Sequence, residues 1–213
     1  MKLSSIIILA GVLLGACKKS DNVITQMVTP TYPVITLSGE PLLSLGIGGT
    51  YTDPGARAFD SLSGATTQLT PYANNVDLSK PGFYSVKFLA KNAYGYRTYA
   101  TRLVLATTVP AADDISGTYK RTTNGAVLHI EKVGTGAYKL DNVAGVANNP
   151  DYIFPFYIGF TDLTTFVGPA QLTPFGDLSI GRPEIVRNGT SVQLSWFIDN
   201  GSFPTNTRTF VRQ

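Results

Sequence analysis

The chain has one cysteine, Cys17, in 213 residues. An internal disulfide is excluded, and with it the class of small exported domains held together by disulfide frameworks. It has one histidine, His129, so no two-histidine zinc motif can form. Charged residues make up 15% of the chain, and the formal net charge is +3. Residues 33–107 carry six Lys/Arg against four Asp/Glu, and residues 113–213 carry eight against nine. Neither half has the basic stripe of a nucleic-acid binder, so nucleic acid is not expected as a partner. Beyond the first 16 residues no segment is long and apolar enough to span a bilayer as a helix, and none repeats its apolar residues at a 3.6-residue period. No Gly-x-Ser-x-Gly elbow and no phosphate-cradling glycine loop is present. Asp113 and Asp114 are adjacent in sequence only, and neighbours on extended chain point apart instead of flanking a scissile bond. No catalytic residue, metal or cofactor is therefore expected, and the chain reads as non-catalytic. A hydrolase assembled from distant carboxylates stands as a third, remote reading.

The N-terminus is better defined. Lys2 gives a short positive region, and Leu3 to Leu14 is apolar apart from Ser4, Ser5 and Gly11. Gly15, Ala16 and Cys17 follow, which is the layout of a secretory signal over residues 1–16. The run falls short of the roughly 20 residues that a spanning helix needs. Leu14-Gly15-Ala16-Cys17 resembles the lipobox of bacterial lipoproteins. That resemblance implies cleavage before Cys17, acylation of its thiol with palmitate-type chains, and a membrane partner held through the lipid. Each buried methylene is worth about 0.8 kcal/mol, so two or three chains anchor stably where one would not. Residues 17–32 read as a lipidated cysteine and a flexible tether with Pro30. Lys18-Lys19-Ser20-Asp21-Asn22 resembles the surface-export signal of Bacteroidetes-type lipoproteins. It implies an outer-membrane protein exposed at the cell surface, with a periplasm-facing protein as the alternative.

Many short apolar runs separated by Gly, Pro and Asn-Gly predict an all-β fold. In residues 33–107, Pro33 to Gly39, Gly48 to Gly55 and Ala56 to Asp60 read as strand and turn. Tyr84 to Lys91 alternates cleanly, with Tyr84, Val86, Phe88 and Ala90 on one face. Asn92 to Gly95 turns the chain, and Arg97 to Ala106 returns with Tyr99, Leu103 and Leu105 on one face. This spacing predicts a β-sandwich. Tyr51-Thr-Asp-Pro-Gly-Ala-Arg-Ala-Phe-Asp60, Val76-Asp77, Pro81 to Val86 and Lys91 to Gly95 together resemble the bacterial Ig-like domain, which implies that fold and little about function. Asp53 and Asp60 are expected to cap turns beside Pro54 and Ser61, not to bind metal. Asp60-Ser61-Leu62 resembles the O-glycosylation site of Bacteroidetes-type bacteria, which makes Ser61 a candidate modification site.

Residues 108–112 read as a linker, and residues 113–213 as a second β-domain. Gly117 to Thr122, Ala126 to Val133 and Ala137 to Val143 are expected strands. Asn124-Gly125 is expected to form a type I′ turn, with positive φ at both residues. A second meander runs from Pro183 to Arg212. The opening Ile115-Ser-Gly-Thr-Tyr119 followed by meanders resembles the lipocalin-like C-terminal domains of Bacteroidetes-type lipoproteins, which implies an antiparallel meander or small barrel.

Binding residues are sought among the aromatics. Trp196 shares a face with Val192, Leu194 and Ile198 and reads as core, whereas Phe197 lies opposite. His129 shares the polar face of its strand with Glu131 and reads as solvated. Tyr152-Ile-Phe-Pro-Phe-Tyr-Ile-Gly-Phe160 has apolar residues at both parities. Either that strand is buried on both sides, or it displays aromatic surface, with Pro155 arguing for an edge position. The candidate ligand-binding residues are Tyr152, Phe154, Phe156, Tyr157 and Phe197. The expected role is a binding module, with glycan capture in a polysaccharide-uptake system as one reading. The alternative is a structural lipoprotein that contacts envelope proteins and takes no small ligand.

Overall fold

The computed structural model describes residues 29–213. The expected signal peptide and Cys17 lie outside the described residues. Residues 31–213 form one compact unit, and none of the described helices is long and apolar enough to cross a membrane.

Seven strands build the first half: β1 (Val34–Leu37), β2 (Leu42–Gly46), β3 (Ala56–Asp60), β4 (Ala65–Leu69), β5 (Ala73–Asn74), β6 (Gly82–Lys91) and β7 (Arg97–Thr107). One sheet has the order β1-β3-β4 and the other β2-β7-β6-β5, with β2 parallel to β7. The expected strand over residues 48–55 is not formed; β2 lies earlier instead. The reason is local, because Asp53 organises the segment through its side chain. Its carboxylate accepts from the Gly55 N–H at 2.6 Å and from the Tyr51 hydroxyl, and it pairs with Arg102 at 3.0 Å. Arg102 is fully buried and also donates to the carbonyls of Ser38, Glu40 and Gly55 at 2.5–2.9 Å. The aspartate and glycine of the motif at residues 51–60 are therefore direct partners of a buried arginine, and its tyrosine braces the aspartate. Asp60 caps its turn as expected, accepting from the Leu62 N–H at 3.2 Å and from Ser63 Oγ at 2.8 Å.

Alternation on β6 holds: Val86, Phe88 and Ala90 point into the sandwich core with Val104 and Ala106. On β7 Tyr99, Leu103 and Leu105 share one face as expected, and that face points outward. Tyr99 is exposed there, and Leu103 and Leu105 are covered by the second half.

The second half is a curled antiparallel sheet built from β8 (Gly117–Arg121), β9 (Val127–Gly134), β10 (Ala137–Leu140), β11 (Phe156–Phe160), β12 (Phe166–Val167), β13 (Gln171–Thr173), β14 (Gly176–Asn188), β15 (Ser191–Asp199) and β16 (Arg208–Arg212). Its order is β12-β11-β10-β9-β8-β16-β15-β14-β13, so the chain ends inside the sheet beside the strand that opens it. The Asn124-Gly125 turn is not type I′. Only Gly125 has positive φ (71°), and its N–H donates to the Arg121 carbonyl, closing a wider loop. The concave face is packed with Tyr119, Tyr138, Phe156, Phe160, Trp196 and Phe210, all fully buried.

Strand β11 joins the two halves. Phe156, Ile158 and Phe160 enter the concave core. Tyr157 and Gly159 face the other way, onto the sandwich. Tyr157 packs in one apolar cluster with Leu42, Leu103, Leu105, Ala137, Phe83 and Val133. Around this cluster Thr107 Oγ1 donates to the Phe160 carbonyl at 2.6 Å, Thr108 N–H to the Thr161 carbonyl at 3.0 Å, and Ser44 Oγ to the Thr135 carbonyl. Gly159 allows the approach: a Cβ there would lie 2.4 Å from Phe83 Cε2 and 2.9 Å from Leu105 Cδ1. Gly159→Ala is therefore expected to cost about 1–3 kcal/mol by overpacking. Urea unfolding would measure that loss, and Phe83→Leu in the same chain is expected to restore part of it.

Candidate functional site

The turn between β8 and β9 and the loop after β10 line an open groove of about 390 Å³. Four asparagines line it, Asn124, Asn142, Asn148 and Asn149, with Val127 and Ile153. Two of them build the walls. Asn142 is buried, and its amide bridges the Val127 and Val146 carbonyls at 2.9 and 3.0 Å while its oxygen accepts from the Val146 N–H. Asn124 donates to the Gly145 carbonyl and accepts from the Ala126 N–H, both at 3.0 Å. The other two face the groove more freely. Asn149 caps a short 3-10 turn through its oxygen, which accepts from the Asp151 N–H at 3.0 Å. Asn148 adopts φ 57°, a left-handed conformation that asparagine tolerates.

Two arginines stiffen the base of the loop. Arg121 Nη1 donates to the Gly145 carbonyl at 3.0 Å, and its buried Nε–H has no partner. Arg208, 2% exposed, donates to the carbonyls of Ala144, Pro204 and Asn206. Burial, and then the nearby Arg121 charge, bring its pKa down to about 10, so it remains charged at neutral pH.

The predicted site residues do not converge here. Phe154 and Phe156 are core residues and offer no surface to a ligand, which corrects the expectation for them. The physical reason is that β11 has covered faces on both sides: Phe156, Ile158 and Phe160 enter the concave core, and Tyr157 and Gly159 lie against the sandwich. Pro155 does not mark an edge strand, since β11 lies between β10 and β12. Tyr157 is half-buried in the contact between the halves. Tyr152 is half-buried, stacked on Phe175 at 4.8 Å and edge-on to Phe203 at 5.8 Å. Phe197 is half-buried on the convex face, lying over Gly181, with the Arg182 guanidinium 5.8 Å from its ring centre. Trp196 is in the core. His129 is 62% exposed and pairs with Asp141 at 2.7 Å, while Glu131 pairs with Lys139. Asp113 accepts from Arg187 at 2.7 and 3.1 Å, and Asp114 from the Ser116 N–H at 2.8 Å, so the two carboxylates have separate structural tasks. Ser61 is exposed at the tip of the β3–β4 turn.

Asn148 and Asn149 lie in the loop after β10, between the two meanders that carry the lipocalin-like resemblance. The legible signal was the run Asn148-Asn149-Pro150, a turn composition that places polar side chains on a surface.

A solved structure similar to this chain is that of the lipoprotein BT2262 from Bacteroides thetaiotaomicron. It is 20% identical, with 85% of this chain and 100% of that chain covered and a TM-score of 0.39. No curated protein sequence matches the chain. Residues 35–105, which hold the buried Arg102 network and nearly all of the sandwich, match the family described as bacterial surface protein, Ig-like domain.

Proposed function

We propose that the protein is an outer-membrane lipoprotein anchored through Cys17, and that its C-terminal half is a non-catalytic module binding a glycan in the asparagine groove. The observation that carries this reading is the groove itself. Its volume falls within the range of small-ligand sites, and its polar lining is amide instead of charged. Amides donate and accept, as sugar hydroxyls do. Val127 and Ile153 are exposed beside them and suit the C–H face of a sugar ring. A second reading is favoured by the filled core over residues 152–160: a structural lipoprotein that contacts envelope proteins and takes no small ligand.

A glycan array probed with the chain from Lys18 onward separates the two. Specific binding is expected. Asn148→Gly, which removes the amide but keeps the left-handed backbone, is expected to weaken it by about 10-fold, the worth of one or two hydrogen bonds. Binding that ignores Asn148→Gly and Ile153→Ser would sink the groove as the site. Absence of binding on a broad array would shift the reading to a protein partner, sought by crosslinking on intact cells. Intact mass of the native protein tests acylation at Cys17 independently.

A further inference from the structure

One end of the sandwich carries an unusual surface. Six large apolar or aromatic side chains, each at least 45% exposed, lie toward that end: Val34 and Phe59 on the outer face of the three-stranded sheet, Tyr99 on that of the four-stranded sheet, and Tyr32, Leu62 and Tyr94 in the entering chain and the turns. Their proximity follows from the pairing. Val34 opposes Phe59, and Leu62 sits in the turn that follows β3. Thr98 Oγ1 donates to the Pro33 carbonyl at 2.6 Å, Asn92 Nδ2 to the Thr31 carbonyl at 2.7 Å, and the Tyr32 and Tyr96 rings lie 5.1 Å apart. Tyr94, at 73% exposure, tops the β6–β7 turn.

The same end is positive. Lys91 lies directly opposite Arg97 across β6 and β7, and Lys87 lies on the same outer face. All three are exposed, and none takes part in any of the ion pairs among the described residues. Like charges directly opposite one another on a sheet are destabilising, so this pair persists without a counter-ion in the fold. From Leu78 to Ala112 the sequence contains no Asp or Glu. The acidic group at this end is Asp60, and its carboxylate is engaged by the Leu62 N–H and Ser63 Oγ.

We propose that this end of the Ig-like sandwich docks on an anionic lipid bilayer surface. Tyrosines with an apolar body and a polar tip settle at the headgroup level. Leu62 and Val34 add apolar contact, and Lys87, Lys91 and Arg97 meet the phosphates. The chain's entry point favours a bilayer over a soluble polyanion. Thr31 and Tyr32 belong to this very end, and Thr31 lies 14 positions after Cys17. At full extension that stretch reaches about 48 Å, so a lipid on Cys17 holds this end, where the chain enters the fold, within that distance of the bilayer. The docking surface goes beyond the glycan reading and does not depend on it.

The test uses the unacylated chain from Lys18 onward, so that no acyl chain carries the binding. It is sedimented with phosphatidylcholine vesicles with and without phosphatidylglycerol. Binding is expected only with phosphatidylglycerol, and it should weaken steeply with salt. The triple variant Lys87→Gln, Lys91→Gln, Arg97→Gln is expected to bind on the order of 100-fold more weakly, from about fivefold per cation. Tyr94→Ser with Leu62→Ser is also expected to weaken it. Unchanged far-ultraviolet circular dichroism and an unchanged urea midpoint verify that each variant is folded. A charge-matched control away from this end, Lys80→Gln, Lys120→Gln, Arg182→Gln, is expected to bind like the parent. Failure to bind anionic vesicles overturns the proposal, as does an equal loss in the control. Binding of dextran sulfate as tightly as vesicles, without need of Tyr94 or Leu62, also overturns it, in favour of an acidic glycan.

Discussion

Arg102→Leu is expected to destabilise the protein by about 3–5 kcal/mol, the cost of breaking a buried ion pair from one side. Arg102 is fully buried and its partner Asp53 is 12% exposed, so the remaining carboxylate would be stranded with little access to water. Three backbone carbonyls would lose their donor at the same time. Tyr51 would still donate to Asp53. Burial, and then that carboxylate, already hold its hydroxyl well above the usual tyrosine range. Removing both charges, with Asp53→Leu added, is expected to recover part of the loss, because no isolated charge remains buried. Urea unfolding followed by far-ultraviolet circular dichroism measures the loss. Trp196 fluorescence supplies a second probe in the other half of the molecule. Because the halves share the cluster around Leu105 and Tyr157, both midpoints should fall together. A fluorescence midpoint that stays put while the dichroism splits into two steps would show that the contact does not couple them.

Trp196→Ala is expected to cost about 3–5 kcal/mol, as for other large aromatic deletions in cores. Trp196 is fully buried, stacked on Phe210 at 4.7 Å and edge-on to Phe166 at 6.4 Å. Its Nε1–H donates to the Val143 carbonyl at 3.0 Å. Trp196→Phe retains the stack but leaves that buried carbonyl without its donor, at about 1–3 kcal/mol. Val143 begins the loop that walls the asparagine groove, so the phenylalanine variant should also loosen the groove. Thermal unfolding reads the first effect. Faster amide exchange at Val146 and Asn148 in Trp196→Phe reads the second, and no change there would mean that the loop is held by Asn142 and Arg208 without help from the core.

Strand alternation was legible wherever one face meets a core and the other meets water, as on β6. It misled where both faces are covered. Leu103 and Leu105 share a face of β7 with exposed Tyr99 and polar Thr101, and their burial comes from another part of the chain, which the alternation does not show. The apolar run at 152–160 posed the same question, and one sequence cannot say what covers a second face. Turn chemistry was readable at Asp60, whose cap is local. The Asn124-Gly125 turn was not, since a four-residue loop closed by Gly125 satisfies the same dipeptide. The groove asparagines lacked any period. Their placement depends on Asn142, Trp196 and Arg208 holding one loop from three different strands or turns, which sequence spacing does not encode.

Strand β7 also has a mechanical consequence. It is bonded to β6 along ten residues and to β2 along five, and its end runs straight into the contact at Thr107 and Thr108. Hydrogen bonds in a sheet lie across the strands, so a pull on the C-terminal half directed along β7 loads these bonds together instead of peeling them one by one. Such a pull would then be carried into the sandwich as shear along its most extensively paired strand, the loading direction in which a sheet yields last.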